Sequence, residues 1–161
     1  MREKIIVGID PGLASAGYGV VAQSGSRLRC LTYGVIQTKP ENTQGERLAI
    51  IFDSIGGVLK EFTPDAAGIE TLYFAKNVTN GLSVAEARGV ILLAFAQWQI
   101  PVREYAPNAI KKTVTGIAQA NKHQVQESVK ILLGLKTAPT PDHAADALAA
   151  AITAAHTDSF L

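Results

Sequence analysis

Four side chains in this sequence could bind a divalent cation together. Asp10 and Glu70 each follow an apolar run typical of a buried strand, and His143 and Asp146 lie three residues apart, on one face of a predicted helix. A carboxylate at the end of a buried strand is costly unless it is paired or binds a metal. If the two strands are neighbours, their carboxylates need a cation between them. We therefore predict a site for one divalent cation, or for two about 3.5–4 Å apart.

The types of these ligands indicate both the metal and its chemistry. Carboxylate oxygens favour Mg²⁺ or Mn²⁺, and an imidazole in the set favours Mn²⁺. Such a site hydrolyses phosphodiester bonds by activating water and neutralising the leaving oxygen. More ordinary roles stay open: a strand-ending turn for Asp10, an ion pair for Glu70 and a structural hydrogen bond for His143. Asp142 suits the first turn of a helix, yet it could substitute for a ligand.

The rest of the chain supplies the elements that would position these residues. Apolar and β-rich runs predict strands at 4–9, 17–23, 27–38, 66–70 and 101–105. Helical periodicity predicts helices at 46–62, 79–98, 107–114 and 122–133, followed by a helix that has Thr140 as N-cap and Pro141 as its first residue. In the helix over 79–98, Leu82, Ala85, Val90, Leu93 and Ala94 are available for packing. The order of elements predicts a single α/β domain over residues 1–161, with a mixed five-stranded sheet flanked by helices.

Composition and charge exclude several classes of protein. The chain has 161 residues, of which 47% are hydrophobic and 18% charged, as in globular proteins. No apolar run reaches the roughly 20 residues of a membrane span, no signal-peptide pattern is present, and a single cysteine allows no internal disulfide. We therefore expect a cytoplasmic protein with no membrane partner. Residues 71–136 carry a net charge of +5, which fits a polyanion-binding surface or a solvated lysine-rich helix face.

A series of short motifs runs in order along nearly the whole chain. They are IVGIDPG at 6–12, GYGV at 17–20, IE at 69–70, AKN at 75–77, ARG at 87–89, EYA at 104–106 and AADALA at 144–149. Together they resemble RuvC, the bacterial family of Holliday-junction resolvases. The first motif alone would be weak, because actin-like and sugar-kinase ATPases carry a similar strand and turn. The resemblance implies a ribonuclease-H-like fold and a homodimer that cuts two strands at symmetric positions across a four-way DNA junction.

The resemblance also implies roles for the candidate site residues. Asp10, Glu70 and Asp146 match three acidic metal ligands of the family, and His143 stands where the family often has Asp. This histidine bears on the choice between Mg²⁺ and Mn²⁺ rather than on the reaction. The basic residues implied near the DNA backbone or the scissile phosphate are Lys111, Lys112 and Lys122.

Further DNA and protein contacts follow from the same resemblance. One of Tyr73 and Phe74 is expected to stack on a base near the centre of the junction, and Lys76 to meet a phosphate. The helix over 79–98 is the candidate dimer contact, and the RuvA–RuvB branch-migration complex is the expected partner.

Two other functions are weighed against the nuclease. The turn after Asp10 suggests an ATP-binding phosphotransferase domain, but that class needs a second domain and a second phosphate loop, for which 161 residues leave no room. His143 in place of an acid suggests a junction-binding module that has lost catalysis.

Overall fold

Within the described residues, ten helices and strands follow one another in the order that the sequence predicts. The computed structural model describes residues 2–72 and 78–157. Its elements are β1 (Lys4–Asp10), β2 (Ser15–Ser24), β3 (Arg27–Gln37), α1 (Gln44–Phe62), β4 (Ala66–Glu70), α2 (Val78–Gln97), β5 (Val102–Tyr105), α3 (Pro107–Thr115), α4 (Lys122–Leu133) and α5 (Asp142–Thr157). None of the helices described is both long and apolar enough to cross a membrane.

The five strands form one mixed sheet with the order β3-β2-β1-β4-β5. Strand β1 pairs antiparallel with β2 and parallel with β4, in a register that places Asp10 opposite Gly17 and Ile9 opposite Ile69. Asp10 and Glu70 are therefore the last residues of two adjacent parallel strands. The mixed five-stranded sheet of the prediction is confirmed, and it brings these two carboxylates to the same edge.

Helices cover both faces of the sheet and bury two hydrophobic clusters. Because side chains alternate along a strand, Val7 packs towards α1 and α2, whereas Ile6 packs towards α3, α4 and α5. Burial on both faces explains why β1 reads as an unbroken apolar run.

Side-chain caps fix the start of two helices. Thr43 and Glu46 form a capping box at the start of α1, and Asn121 and Gln124 form one at the start of α4. The predicted start of α5 is wrong by one residue, since the helix begins at Asp142. The Pro141 carbonyl accepts the amide of Ala144, so Pro141 precedes the helix and Thr140 is not its N-cap.

Of the α2 residues predicted to pack, Ala94 is buried and Val90 packs against the core, but the packing predicted for Leu82 and Leu93 is wrong. More than half of each side chain is exposed, 55% for Leu82 and 51% for Leu93. The face of α2 that packs against the sheet and α1 instead contains Ile91 and Phe95. Apolar residues occur all round this helix, so its sequence pattern does not identify the buried face.

Helix α5 lies directly against the sheet because the strands beneath it present glycines. A Cβ on Gly8 would overlap the Ala147 carbonyl oxygen, and a Cβ on Gly17 would overlap the carbonyl of His143. A Cβ on Gly68 would lie 2.6 Å from the Ala150 carbonyl oxygen, which is also too close. On the helix side, eight of the eleven buried residues are alanines, and the others are Leu148, Ile152 and Thr153. At Gly8, Gly17 and Gly68 the backbone of α5 therefore comes directly against β1, β2 and β4, while Leu148 packs over Gly19.

Candidate active site

The two strand carboxylates point towards the face of the sheet that α5 covers. Gly8 and Gly68 lie beneath α5, and Asp10 and Glu70 follow them by two residues, so they share that face. Asp10 and Glu70 line one pocket of about 260 Å³, together with Arg88.

Helix α5 brings the other two predicted residues to the same edge. Nδ1 of His143 lies 2.7 Å from Oδ2 of Asp10. Asp146, one turn further along α5, lines a small pocket of about 40 Å³ with Glu70 and Lys111. The structure therefore brings Asp10, Glu70, His143 and Asp146 together, as the sequence predicts.

Burial and mutual repulsion raise the pKa values of the site carboxylates in the metal-free protein, so these groups are harder to ionise. Burial raises the pKa of Glu70 to about 7, and the charges of Asp10 and Asp146 add to the shift. Burial, followed by the charge of Asp10, raises the pKa of Asp146 to about 6. Burial also raises the pKa of Asp10, although the hydrogen bond and charge of His143 oppose this. A bound cation would remove the repulsion among the three.

The donor set fits a hard divalent cation. Within residues 2–72 and 78–157, no group of three or more His, Cys, Asp or Glu side chains is already arranged to hold a metal ion. An ionised Asp10 can only accept a hydrogen bond, so Nδ1 of His143 donates to it. Nε2 of His143 and the second oxygen of Asp10 then remain as atoms that could coordinate a metal. With Glu70 and Asp146, the edge offers carboxylate oxygens and one imidazole nitrogen, which suit Mg²⁺ or Mn²⁺.

The predicted basic residues occupy different positions around this edge. Lys111 borders the pocket of Glu70 and Asp146, and its charge lowers the pKa of Glu70. Nζ of Lys122 lies 3.1 Å from Oδ2 of Asp142, and its charge lowers the pKa of Asp146. Lys112 is exposed on α3 and lines none of the pockets that contain the four site residues.

Asp142 holds basic and polar groups of α4 beside the site. Its second oxygen, Oδ1, accepts a hydrogen bond of 3.0 Å from Nε2 of Gln126. Both carboxylate oxygens are thus engaged with α4, and the charge of Lys122 acts to lower the pKa of Asp10 and of Asp146. The predicted residues Tyr73, Phe74 and Lys76 lie outside the described part of the chain.

Two arginines, one at the site and one beside it, could not be identified from the local sequence pattern. Arg88 pairs with Glu104 and lines the pocket of Asp10 and Glu70. It occurs in the ARG motif, but nothing in the spacing relates it to a carboxylate 16 residues away. Arg47 lines a neighbouring pocket that includes His143. Its position within an amphipathic helix gives no reason to single it out.

Comparison with known proteins identifies the family. The model of the family described as "Crossover junction endodeoxyribonuclease RuvC" matches residues 6–154. The chain belongs to the RuvC family. It is 62% identical to the crossover junction endodeoxyribonuclease RuvC of Treponema denticola over 148 residues, which cover 92% of this chain and 83% of that protein.

Solved structures of RuvC share the fold. The structure of Thermus thermophilus RuvC in complex with a Holliday junction substrate superposes with a TM-score of 0.92 at 35% identity, covering 98% of this chain and 96% of that one. The yeast mitochondrial Holliday junction resolvase Ydc2 matches with a TM-score of 0.66 at 13% identity and covers 92% of this chain and 77% of its own, which shows a common fold. The predicted RuvC family and ribonuclease-H-like fold are thus confirmed.

Membership of the RuvC family decides the class of reaction. The predicted endodeoxyribonuclease is confirmed, and nucleases of this family depend on a divalent metal. The phosphotransferase interpretation of the turn after Asp10 has no such support.

Proposed function

We propose that Asp10, Glu70, His143 and Asp146 form the active site of a crossover junction endodeoxyribonuclease. In this proposal the chain hydrolyses phosphodiester bonds at symmetric positions in two strands of a four-way DNA junction, during recombination and repair. The observation that carries the proposal is the convergence of these four side chains at one sheet edge in a RuvC-family chain. The junction as substrate is supported by the Thermus thermophilus relative, whose structure contains a Holliday junction.

Each group at the sheet edge has a role in this proposal. The four site residues would hold the metal, which is Mg²⁺ or Mn²⁺, and a site for two ions suits their number. When bound, a divalent cation supplies an activated water and neutralises charge at the leaving oxygen. Because His143 contributes a nitrogen donor, we favour Mn²⁺.

Lysines beside the carboxylates would stabilise the phosphate as it reacts. Lys111 and Lys122 face the site and would offset negative charge that develops during hydrolysis. Asp142 would keep the Lys122 ammonium close to the site between encounters with DNA. Lys112, Lys76 and one of Tyr73 and Phe74 would contact DNA outside the reacting bond.

A homodimer would present two active sites to the two strands. Leu82 and Leu93 are 11 residues apart on α2, so they lie on the same face of the helix, about three turns from each other. Exposed leucines in a line suit an isologous contact with a second copy of the chain. We further propose that residues 1–161 form one domain and that the RuvA–RuvB complex is its partner.

Cleavage of a synthetic four-way junction tests the proposed function. We expect paired symmetric nicks at low salt with Mg²⁺ or Mn²⁺, none in a linear duplex of the same sequence, and none with Asp146→Asn. Lys122→Ala should slow the cuts without preventing junction binding.

The competing function is a junction-binding module without catalysis, which is suggested by His143 at an otherwise acidic position. Tight junction binding with no cuts in either metal would support that module and contradict our proposal. Recovery of cleavage in His143→Asp would then show that the histidine is what removed the activity.

A further inference from the structure

A second pocket opens beside the candidate active site, and no carboxylate lines it. This pocket has a volume of about 430 Å³ and lies between the β1–β2 turn, α1 and α2. Its polar lining includes Arg47, Ser83 and His143, and Pro11 lines both this pocket and the one that contains Asp10 and Glu70. The acid-free pocket, which we call the Arg47 pocket, thus borders the acidic site directly.

Arg47 is held in this pocket by a short chain of hydrogen bonds. Its Nε donates to Oγ1 of Thr38 over 2.8 Å, and this hydroxyl donates to the Leu13 carbonyl over 2.6 Å. Thr38 is buried, with 8% of its surface exposed, and its amide donates to the Ala14 carbonyl. The guanidinium is therefore fixed against the β1–β2 turn, which begins directly after Asp10.

The rest of the guanidinium has no acidic partner within the described ranges. Arginine carries five N–H donors, and the bond to Thr38 uses only the one on Nε. No ion pair joins Arg47 to a carboxylate of residues 2–72 or 78–157. A fixed guanidinium with its terminal N–H groups available matches the bidentate geometry of phosphate.

We propose that the Arg47 pocket binds a backbone phosphate of the DNA strand that is cut, next to the scissile phosphate. This inference rests on the proposed function, since the strand must lie over the carboxylates of Asp10 and Glu70. Lys111 and Lys122 flank the carboxylates towards α3 and α4, and Arg47 flanks them towards α1 and α2. The strand would then have a cation on either side of the bond that breaks.

The salt dependence of junction binding tests this proposal. Without divalent metal, we expect Arg47→Gln to weaken binding of a fluorescent four-way junction about 5- to 10-fold near 0.1 M salt. The slope of log K against log salt should fall in magnitude by about 0.9, which is the loss of one duplex phosphate contact. Arg47→Lys keeps the charge and should retain the wild-type slope. Arg27→Gln, at the opposite end of the sheet, is the matched control and should change neither quantity.

Thr38→Val separates the charge of Arg47 from its support of the turn. This variant removes the hydroxyl that fixes the guanidinium but keeps the cation, so its slope should equal that of the wild type; melting temperatures report whether each variant folds. A wild-type slope in Arg47→Gln overturns the proposal. If both variants bind equally weakly with the wild-type slope, Arg47 only supports the turn, which also overturns it.

The proposed function fails separately from this inference. If the wild type binds linear duplex as tightly as the junction and cuts neither, the junction nuclease is wrong. The slope difference between wild type and Arg47→Gln, measured on the linear duplex, still decides whether the Arg47 pocket binds phosphate.

Discussion

The Nδ1 atom of His143 lies 2.7 Å from Oδ2 of Asp10, where the first turn of α5 meets the end of β1. Gly17, opposite Asp10 in β2, makes this approach possible, because a side chain there would overlap the His143 backbone. The hydrogen bond orients the imidazole and occupies its Nδ1, so Nε2 is the nitrogen that would bind a metal in our proposal.

Replacing this nitrogen with an oxygen should change the preferred metal. We expect His143→Asp to lower the ratio of single-turnover cleavage rates in Mn²⁺ and Mg²⁺ several-fold, because all donors would then be carboxylate oxygens. Asp142→Asn changes the neighbouring residue, whose oxygens bond to Lys122 and Gln126, and should leave the ratio unchanged. An unaltered ratio in His143→Asp would show that His143 is not a ligand.

The raised pKa of Glu70 predicts how the stability of the metal-free protein depends on pH. Its pKa is about 7 in the folded chain, against an ordinary value of 4.5, so the folded state holds this proton more tightly than the unfolded state does. The free energy of unfolding should therefore fall as the pH rises from 4.5 to 7.

Glu70→Gln removes this loss of stability. Allowing for the partial exposure of the side chain, we expect the variant to be more stable than the wild type by about 1–2 kcal/mol near pH 8. Near pH 4 the two proteins should be equally stable. Urea unfolding in a chelator measures the difference. Added Mg²⁺ should stabilise the wild type more than the variant. An equal gain in the free energy of unfolding at both pH values would contradict the raised pKa of Glu70.

The exposed leucines of α2 predict that a charged side chain among them prevents the proposed homodimer from forming. Leu93→Asp should convert a dimer to a monomer in sedimentation experiments, because a carboxylate would be desolvated in the contact. Junctions would then receive single nicks in place of paired cuts. Ile131→Asp, at an α4 residue that is 76% exposed, is the control and should leave the dimer intact. If the Leu93→Asp variant remained a dimer, this face of α2 would not be the dimer contact.

The close packing of α5 on the sheet predicts opposite effects for two glycine substitutions. Gly8→Ala would force a methyl group into the backbone of Ala147 and Ala151, so we expect a loss of about 2–3 kcal/mol of stability. Gly57→Ala, in α1 where nothing lies within 4 Å of the new Cβ, should gain about 0.5–1 kcal/mol. Chemical denaturation of both variants checks the sign. If Gly8→Ala were neutral, α5 would lie further from the sheet than described.

The elements of this fold could be predicted from the sequence because their signals are local. The stripe of apolar residues in α1 and the caps at Thr43 and Asn121 act within a few residues. The exposed face of α2 could not be predicted, because Leu82 and Leu93 are as apolar as the buried Ile91.

The metal-ligand candidates could be predicted, but the arginines could not. Asp10 and Glu70 stand out because charged groups are rare at the end of apolar strands. Arg47 is positioned by Thr38 and, through it, by the β1–β2 turn. Both lie outside the helix that contains Arg47. Such a relationship becomes visible only once the strands and helices are placed in space.

The layer of glycine and alanine under α5 restricts how the site can move. At helix–sheet interfaces built from long side chains, these side chains can change rotamer and let the helix shift. Here the helix backbone rests against glycines of three strands, so a shift of His143 or Asp146 away from Asp10 would have to disrupt the core itself. This half of the site is therefore rigid, and we expect His143 and Asp146 to keep their positions relative to Asp10 when DNA binds.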